Sequence, residues 1–409
     1  MFSKSYLGKQ ELGAAKLMGG QIVSMTPSCE EPPFLSGLSA SEVGYYFVIF
    51  YTVLGGPLRL TVGNIGVGFL MLFLLTLWFV QNAASCGLVL KQAGLALGCG
   101  ITYLLIQLLV HDESSTQLYV RGFGIWLPAL VVVQWLSNQP GFLRRFAFFT
   151  VAMGFAMIPF MKISVSAGLY QRIGLESGVG FANPNDLGYW YGFCALYLIL
   201  AGFSTSVAGS RILYWAFGLV CLYLVTLTLS RSPLIAIAIA IMVASRRLLR
   251  EGFLLLFLLG GLVYAAIQLG VFDAALKSYG LRAGEETGRT TVWPILIDAF
   301  LNSPMVGLGA SHAGMFVPDG RFFTPHNGFL LIAVSSGVVP LMFFIAHCIK
   351  AAKAAFLSTA RNMPDSIYYL PLLTYVLLVV NTSNGTFMAP WAMVSIALPL
   401  CVQTCQQHD

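Results

Sequence analysis

Asn183-Pro184-Asn185-Asp186 runs directly into Leu187-Gly188-Tyr189-Trp190-Tyr191-Gly192-Phe193-Cys194-Ala195-Leu196-Tyr197-Leu198-Ile199-Leu200-Ala201-Gly202-Phe203-Ser204-Thr205, which from residue 187 onward holds no Asp, Glu, Lys or Arg. A helix of about 20 mostly apolar residues crosses the hydrocarbon core of a bilayer, and this run has that length. The residues ahead of it read as a helix start, with Asn183 as capping side chain and Pro184 in the first turn. Similar runs extend in both directions. Candidate spans lie near 43–62, 65–85, 93–110, 122–137, 146–161, 187–205, 212–229, 233–245, 253–271, 327–347, 367–383 and 388–404.

The composition agrees with this tiling. Of 409 residues, 57% are hydrophobic and 9% charged, and the mean hydropathy is +0.80. Soluble domains carry about 25% charged residues. The expected fold class is therefore an all-α polytopic membrane protein of about twelve transmembrane helices. Its single membrane domain occupies residues 43–404, between a cytoplasmic N-terminal segment 1–42 and a cytoplasmic tail 405–409. The longest loop, 272–325, precedes the tenth helix. A net charge of +6 would indicate nucleic acid in a soluble chain. Here basic cytoplasmic loops explain it, and no nucleic-acid partner is expected.

The first forty residues contain Lys4, Lys9, Lys16, Glu30 and Glu31 and no apolar signal core, so the first span is expected to direct insertion. The eight cysteines form no C-x-x-C pair. All but Cys29 fall in or beside apolar runs, which argues against a disulfide framework or a metal site.

With the N-terminus cytoplasmic, 13 of the 22 basic residues fall on inner segments, among them Lys91, Arg144, Arg145, Arg246, Arg247, Lys350 and Lys353. Both termini then lie inside. The other nine are Arg59, Arg121, Lys162, Arg172, Arg231, Lys277, Arg282, Arg289 and Arg321. They lie on the side that the positive-inside bias disfavours. Lys162 and Arg172 occupy the outer loop 162–186, while Lys277, Arg282, Arg289 and Arg321 belong to the loop 272–325. Lipid headgroups would explain some of this charge. A specific anionic ligand explains its concentration in two loops better.

Four outer segments depart from plain membrane composition: Gly178–Asp186; Ser230-Arg231-Ser232-Pro233; Gly288-Arg289-Thr290-Thr291-Val292-Trp293 with its continuation to Asn302-Ser303-Pro304; and Thr324-Pro325-His326-Asn327. Three of them place a helix N-terminus at the outer interface, where free N–H groups favour anions. Every inward-running helix offers the same, so the arginines carry the discrimination. The guanidinium forks of Arg231 and Arg289 suit paired phosphate oxygens, and a diphosphate fits the combination best. His326, at a helix start that opposes its protonation, is the candidate for proton transfer. A capping or headgroup-contacting histidine is the plainer alternative. Asn183-Pro184-Asn185 occurs once, without the second copy that water channels pair with theirs. Trp293, Phe300 and Phe316 could serve as interfacial anchors. No D-x-D pair or acidic cluster supports a metal-dependent sugar-nucleotide reaction.

In order, spacing and membrane context, these motifs resemble the O-antigen ligase and O-antigen polymerase superfamily. The resemblance spans roughly residues 170 to 345. It runs from Phe181-Ala182-Asn183-Pro184-Asn185-Asp186 through Leu229-Ser230-Arg231-Ser232-Pro233 to Gly288-Arg289 with Trp293. It then takes in Ser303-Pro304-Met305-Val306-Gly307-Leu308-Gly309 and His326-Asn327, with Gly337 eleven residues after the histidine. Ligases usually carry Gly, Thr or Tyr three residues beyond that glycine, where this chain has Pro340, so ligase and polymerase both stay open.

The resemblance implies a GT-C-like helical enzyme of the bacterial inner membrane that needs no metal or other cofactor and inverts the anomeric centre. Its donor would be a glycan on undecaprenyl diphosphate. Its acceptor would be lipid A-core or a growing glycan, at a site facing the periplasm. Within it, His326, Arg289 and Arg231 would be catalytic. Asn183, Asn185, Asp186, Arg172, Arg282, Arg321 and Asn327 would bind substrate. The bilayer and other glycan-assembly proteins, such as a chain-length regulator, would be its partners. The rival class is a polysaccharide transporter or flippase. The scarcity of acids in the central spans and the lack of an inverted repeat weigh against it.

Overall fold

The computed structural model describes residues 38–58, 61–62, 65–66, 86–111, 132–139, 141–166, 170–175, 184–244, 261, 268, 270, 273, 277–278, 280, 289–310, 312–316, 322–361, 363, 365–383 and 389–405. The expected spans 65–85 and 253–271, and much of 122–137, therefore lie largely outside the described residues. So does the N-terminal segment up to residue 37.

The described chain is mostly helical. α1 is Ala40–Leu58 and α2 is Cys86–Leu109, with the short β1 (Thr61–Val62) and β2 (Ile65–Gly66) between them; α3 is Phe142–Ala156. An antiparallel hairpin of β3 (Met161–Ser166) and β4 (Tyr170–Leu175) precedes α4 (Pro184–Ser204). Next come α5 (Ala208–Leu227) and α6 (Arg231–Ala244), then α7 (Arg289–Asn302) and the two-residue strands β5 (Met315–Phe316) and β6 (Phe322–Phe323). α8 (Gly328–Ser336), α9 (Val338–Ala360), α10 (Ser366–Val380) and α11 (Pro390–Cys405) complete it. Among the described residues, five stretches are long and apolar enough to cross a membrane: Lys91–Leu109, Phe142–Phe160, Pro184–Ser204, Ala208–Leu227 and Val338–Ala360.

α4 is the centre of the bundle, buried along nearly all its length. Its glycines are the places where neighbours close in. A Cβ at Gly192 would collide with the Tyr375 hydroxyl of α10, and one at Gly202 with the Trp215 indole of α5. α5 packs along α4 and turns Ile212, Leu213, Phe217 and Val220 outward. α9 likewise exposes Met342, Ile345, Ile349 and Phe356. Apolar faces this extensive are what a helix presents to lipid.

α4 starts at Pro184, where the capping reading put its first turn, so that Asn185 and Asp186 belong to the helix ahead of the apolar span from 187. Other boundaries differ from the sequence reading. The span expected at 327–347 is two helices. α8 is nine residues long, and α9 starts only after Gly337 and continues to Ala360. Lys350 and Lys353, expected in an inner loop, therefore lie within α9. Lys350 Nζ donates to the Lys91 and Gln92 carbonyls of α2 at 2.9 and 3.3 Å, which an amphipathic side chain reaches from an apolar helix.

Arg144 and Arg145 also lie on a helix rather than in a loop. Arg145 grips Glu42 of α1 bidentately, Nε to Oε1 at 2.7 Å and Nη2 to Oε2 at 2.9 Å, with both side chains buried. The Tyr46 hydroxyl donates to the same carboxylate at 2.5 Å. This charge was counted as topological, yet it pairs two helices in the core. Removing one partner of a buried pair strands the other, at a cost of roughly 3–5 kcal/mol. Glu42→Ala should accordingly lower the melting temperature of the detergent-purified protein by several degrees. Glu42→Ala/Arg145→Leu should recover most of the loss. Unchanged melting of the single variant would show that the pair contributes nothing.

Candidate active site

The first motif segment opens α4 and is fixed from two sides. Gly174 of β4 lies so close to Pro184 that a Cβ there would sit 3.1 Å from its ring. Arg172 is half-buried on the same strand, opposite Ser164 in register. On the other side, Ser230 Oγ donates to Asn185 Oδ1 at 2.8 Å. Gly188, one turn on, lets Thr228 and Ser230 approach α4, since a Cβ there would lie 2.7 Å from Thr228 Oγ1. Asn185 and Asp186 are half-buried, and Arg231 is exposed directly after the buried Ser230.

The second pair of segments meets through Trp293. Its indole Nε1 donates to the Pro325 carbonyl at 2.6 Å, tying α7, which Arg289 begins, to the residue before His326. Immediately after the histidine, Asn327 caps α8. Its Oδ1 accepts from the Phe329 and Leu330 amides at 3.0 and 3.1 Å. The cap is thus Asn327, and His326 is the residue before it. A pinned carbonyl on one side and a helix cap on the other hold half-buried His326 with φ 47°.

Among the described residues three non-glycines have positive φ: Leu229, His326 and Asp365. Two of the three flank or belong to the motif segments. Conformations of this kind cost about 1–3 kcal/mol each and persist where surrounding structure enforces them, often at functional sites.

The two halves are linked by residues that sequence reasoning missed. The Tyr189 hydroxyl of α4 donates to the Thr382 carbonyl at 2.9 Å, and Tyr375 of α10 donates back to the Tyr189 carbonyl at 2.7 Å. Next to Thr382, exposed Asn381 accepts from Asn327 Nδ2 at 3.5 Å. Three hydrogen bonds, Ser230 to Asn185, Tyr189 to Thr382 and Asn327 to Asn381, thus tie the turn before Arg231 and the turn at His326 to α4 and the end of α10. The polar run Asn381-Thr382-Ser383 between two apolar helices was the signal available in the sequence.

The glycines of the Ser303–Gly309 motif, with Gly337, have a separate task. At the break between α8 and α9, Leu308 N donates to Val334 O at 2.7 Å, Gly309 N to Ser335 O at 3.2 Å, and Val338 N to Pro304 O at 2.8 Å. Gly307 and Gly337, at φ 68° and 81°, make this approach feasible. A Cβ at Gly307 would lie 2.5 Å from Val334 O, and one at Gly337 would collide with Met305 O. Pro340, the departure from the ligase pattern, is buried in the first turn of α9, where a missing N–H costs little.

Of the expected site residues, Asn185, Asp186, Arg231, His326 and Asn327 lie along the linked segments, and Arg172 is on the hairpin strand that packs against Pro184. Arg289 begins α7. Asn183, Arg282 and Arg321 lie outside the described residues.

Residues 216–345 match the family model described as O-antigen ligase. The resemblance carried by the motifs thus holds over this region, which includes Arg231, Arg289, the glycine motif and His326, and supports the O-antigen ligase superfamily. No curated protein matches the chain. Trp293→Phe keeps an aromatic ring but removes the donor to Pro325. It should reduce activity at the site at least tenfold while lowering stability by about 1 kcal/mol. Full activity in this variant would show that the Pro325 contact does not hold His326.

Proposed function

We propose that the chain is an inner-membrane glycosyltransferase that moves a glycan from undecaprenyl diphosphate to an acceptor sugar hydroxyl on the periplasmic face. The observation that carries this reading is the pinning of two turns. Asn185 holds Ser230 beside Arg231, and Trp293 of the Arg289 helix holds Pro325 beside His326. Both turns fall within the stretch that matches the O-antigen ligase model.

In the proposed reaction the acceptor oxygen attacks the anomeric carbon from the face opposite the diphosphate. A carbon–oxygen bond forms, the bond to the phosphate oxygen breaks, and the anomeric configuration inverts. Negative charge gathers on the departing diphosphate, where Arg231 and Arg289 neutralise it through paired guanidinium contacts. Arg282 and Arg321 would assist. His326 takes the proton that the hydroxyl gives up, or orients that hydroxyl for attack. Asn185, Asp186 and Asn327 would line the sugar side of the site, with Asn183 and Arg172 bordering it. No step in this scheme requires a metal.

Ligation to lipid A-core is the preferred form of the reaction, and chain polymerisation is its alternative within the same superfamily. Purified protein is given undecaprenyl-diphosphate glycan with lipid A-core or with no added acceptor, and products are resolved on a gel. Product only with lipid A-core identifies a ligase, and a ladder from donor alone identifies a polymerase. His326→Ala should abolish either product while membrane insertion stays normal; undiminished output would remove the proton-transfer role. Arg289→Lys should lose at least tenfold in activity, because an ammonium does not reproduce a bidentate fork. A fully active lysine variant would reduce Arg289 to generic positive charge.

A further inference from the structure

The N-terminal third of the chain supplied no motif, yet α2 ends in a buried polar side chain directed at the break behind the histidine helix. Gln107 is completely buried. Its Nε2 donates to Ser335 O at 2.7 Å and to Ser336 Oγ at 2.8 Å, and its Oε1 accepts from Ala310 N at 3.0 Å. One amide thereby joins the last two residues of α8 to the end of the glycine motif. Two residues beyond the end of α2, His111 Nε2 lies 3.0 Å from Val306 O, and its ring packs against Gly309.

We infer that Gln107 is a positioning residue for the transfer reaction: it fixes α8, and through α8 the placement of His326. The inference rests on the role proposed above for His326. α8 is nine residues long and thus a rigid rod of roughly 13 Å. Its far end is held by Gln107 and its near end carries the Asn327 cap that follows His326. Because α8 is separated from α9 by Gly337, its orientation is not inherited from the longer helix. Contacts at its base hold it, and Gln107 makes two of them, to Ser335 O and Ser336 Oγ, while its third bond, from Ala310 N, ties the same amide to the loop beside the break. The amide also suits the place. Its donors meet the Ser335 carbonyl and the Ser336 hydroxyl, and its acceptor meets the Ala310 N–H, so a carboxylate or thioether would leave part of the pattern unmet.

The test uses the full-length protein in liposomes, with undecaprenyl-diphosphate glycan as donor and lipid A-core present or omitted. Gln107→Met keeps the bulk and removes the hydrogen bonds. Displacing a reacting group by about 1 Å costs up to a hundredfold, so kcat should fall tenfold to a hundredfold. The KM for donor, which the arginine side sets, should stay within twofold. Gln107→Glu retains the acceptor for Ala310 but loses the donors, and should not restore kcat. A Gln107→Met enzyme with unchanged kcat overturns the inference. So does one whose kcat loss disappears at a lower temperature in step with recovered folding. If Gln107→Met does not fold, Ser336→Ala, which removes one contact, replaces it, with a threefold to tenfold kcat loss expected and an unchanged kcat overturning the inference. If His326→Ala is fully active while Gln107→Met is impaired, the role assigned to His326 has failed instead.

Discussion

A peptide group without a partner is costly in a medium that holds no water, and for that reason spanning chains are helical or closed into barrels. This chain nevertheless interrupts a helix at Gly337, at the base of the segment that carries His326. The interruption survives because the loop 303–310 is laid against it. Leu308 and Gly309 donate to the carbonyls of Val334 and Ser335, and Pro304 accepts from Val338. Two glycines allow that contact, and one buried glutamine fastens it to α2. The placement of α8 depends on this substitution of loop for helix. An unbroken helix would have directed His326 along the axis of α9.

The rest of the candidate site is arranged around α4. Its first turn carries Asn185 and Asp186, its second receives the turn before Arg231 through Gly188, and Tyr189 joins it to the loop beyond α10. Polar contacts among turns would be loose if each turn moved independently. Here they are anchored to the most deeply buried helix of the bundle, so a short hydrogen bond such as Ser230 to Asn185 reports a fixed geometry. Loops that bear chemistry on a rigid scaffold are the common arrangement in enzymes.

Much of this was legible from residue types alone. Length and apolarity identify α4 and α5 to within a few residues, and Asn327 with Pro325 marks a helix start. The break at Gly337 is not legible from hydropathy, which does not register a change of direction over residues 328–347. The one local signal for it is the breaker cluster Ser335-Ser336-Gly337 with Pro340. The roles of Gln107 and Tyr189 were hidden for another reason. Each looks like an isolated polar group in an apolar run, and its partner lies more than a hundred positions away. The pairing of Arg145 with Glu42 was hidden because positive charge near a helix end has a topological explanation that needs no partner. Trp293 fitted an interfacial anchor so well that its indole N–H drew no further interpretation.

The pair between Glu42 and Arg145 also sets an order of assembly. The carboxylate lies near the start of α1, and its partner is made 103 residues later. At about 5–20 residues per second the ribosome needs roughly 5–20 s to deliver it. During that interval α1 holds an acid with no guanidinium to receive it, which favours keeping that end of the helix at the water interface. α1 is therefore synthesised well before its pairing can be completed. Its contact with Arg145 is made only when the segment carrying that residue arrives beside it.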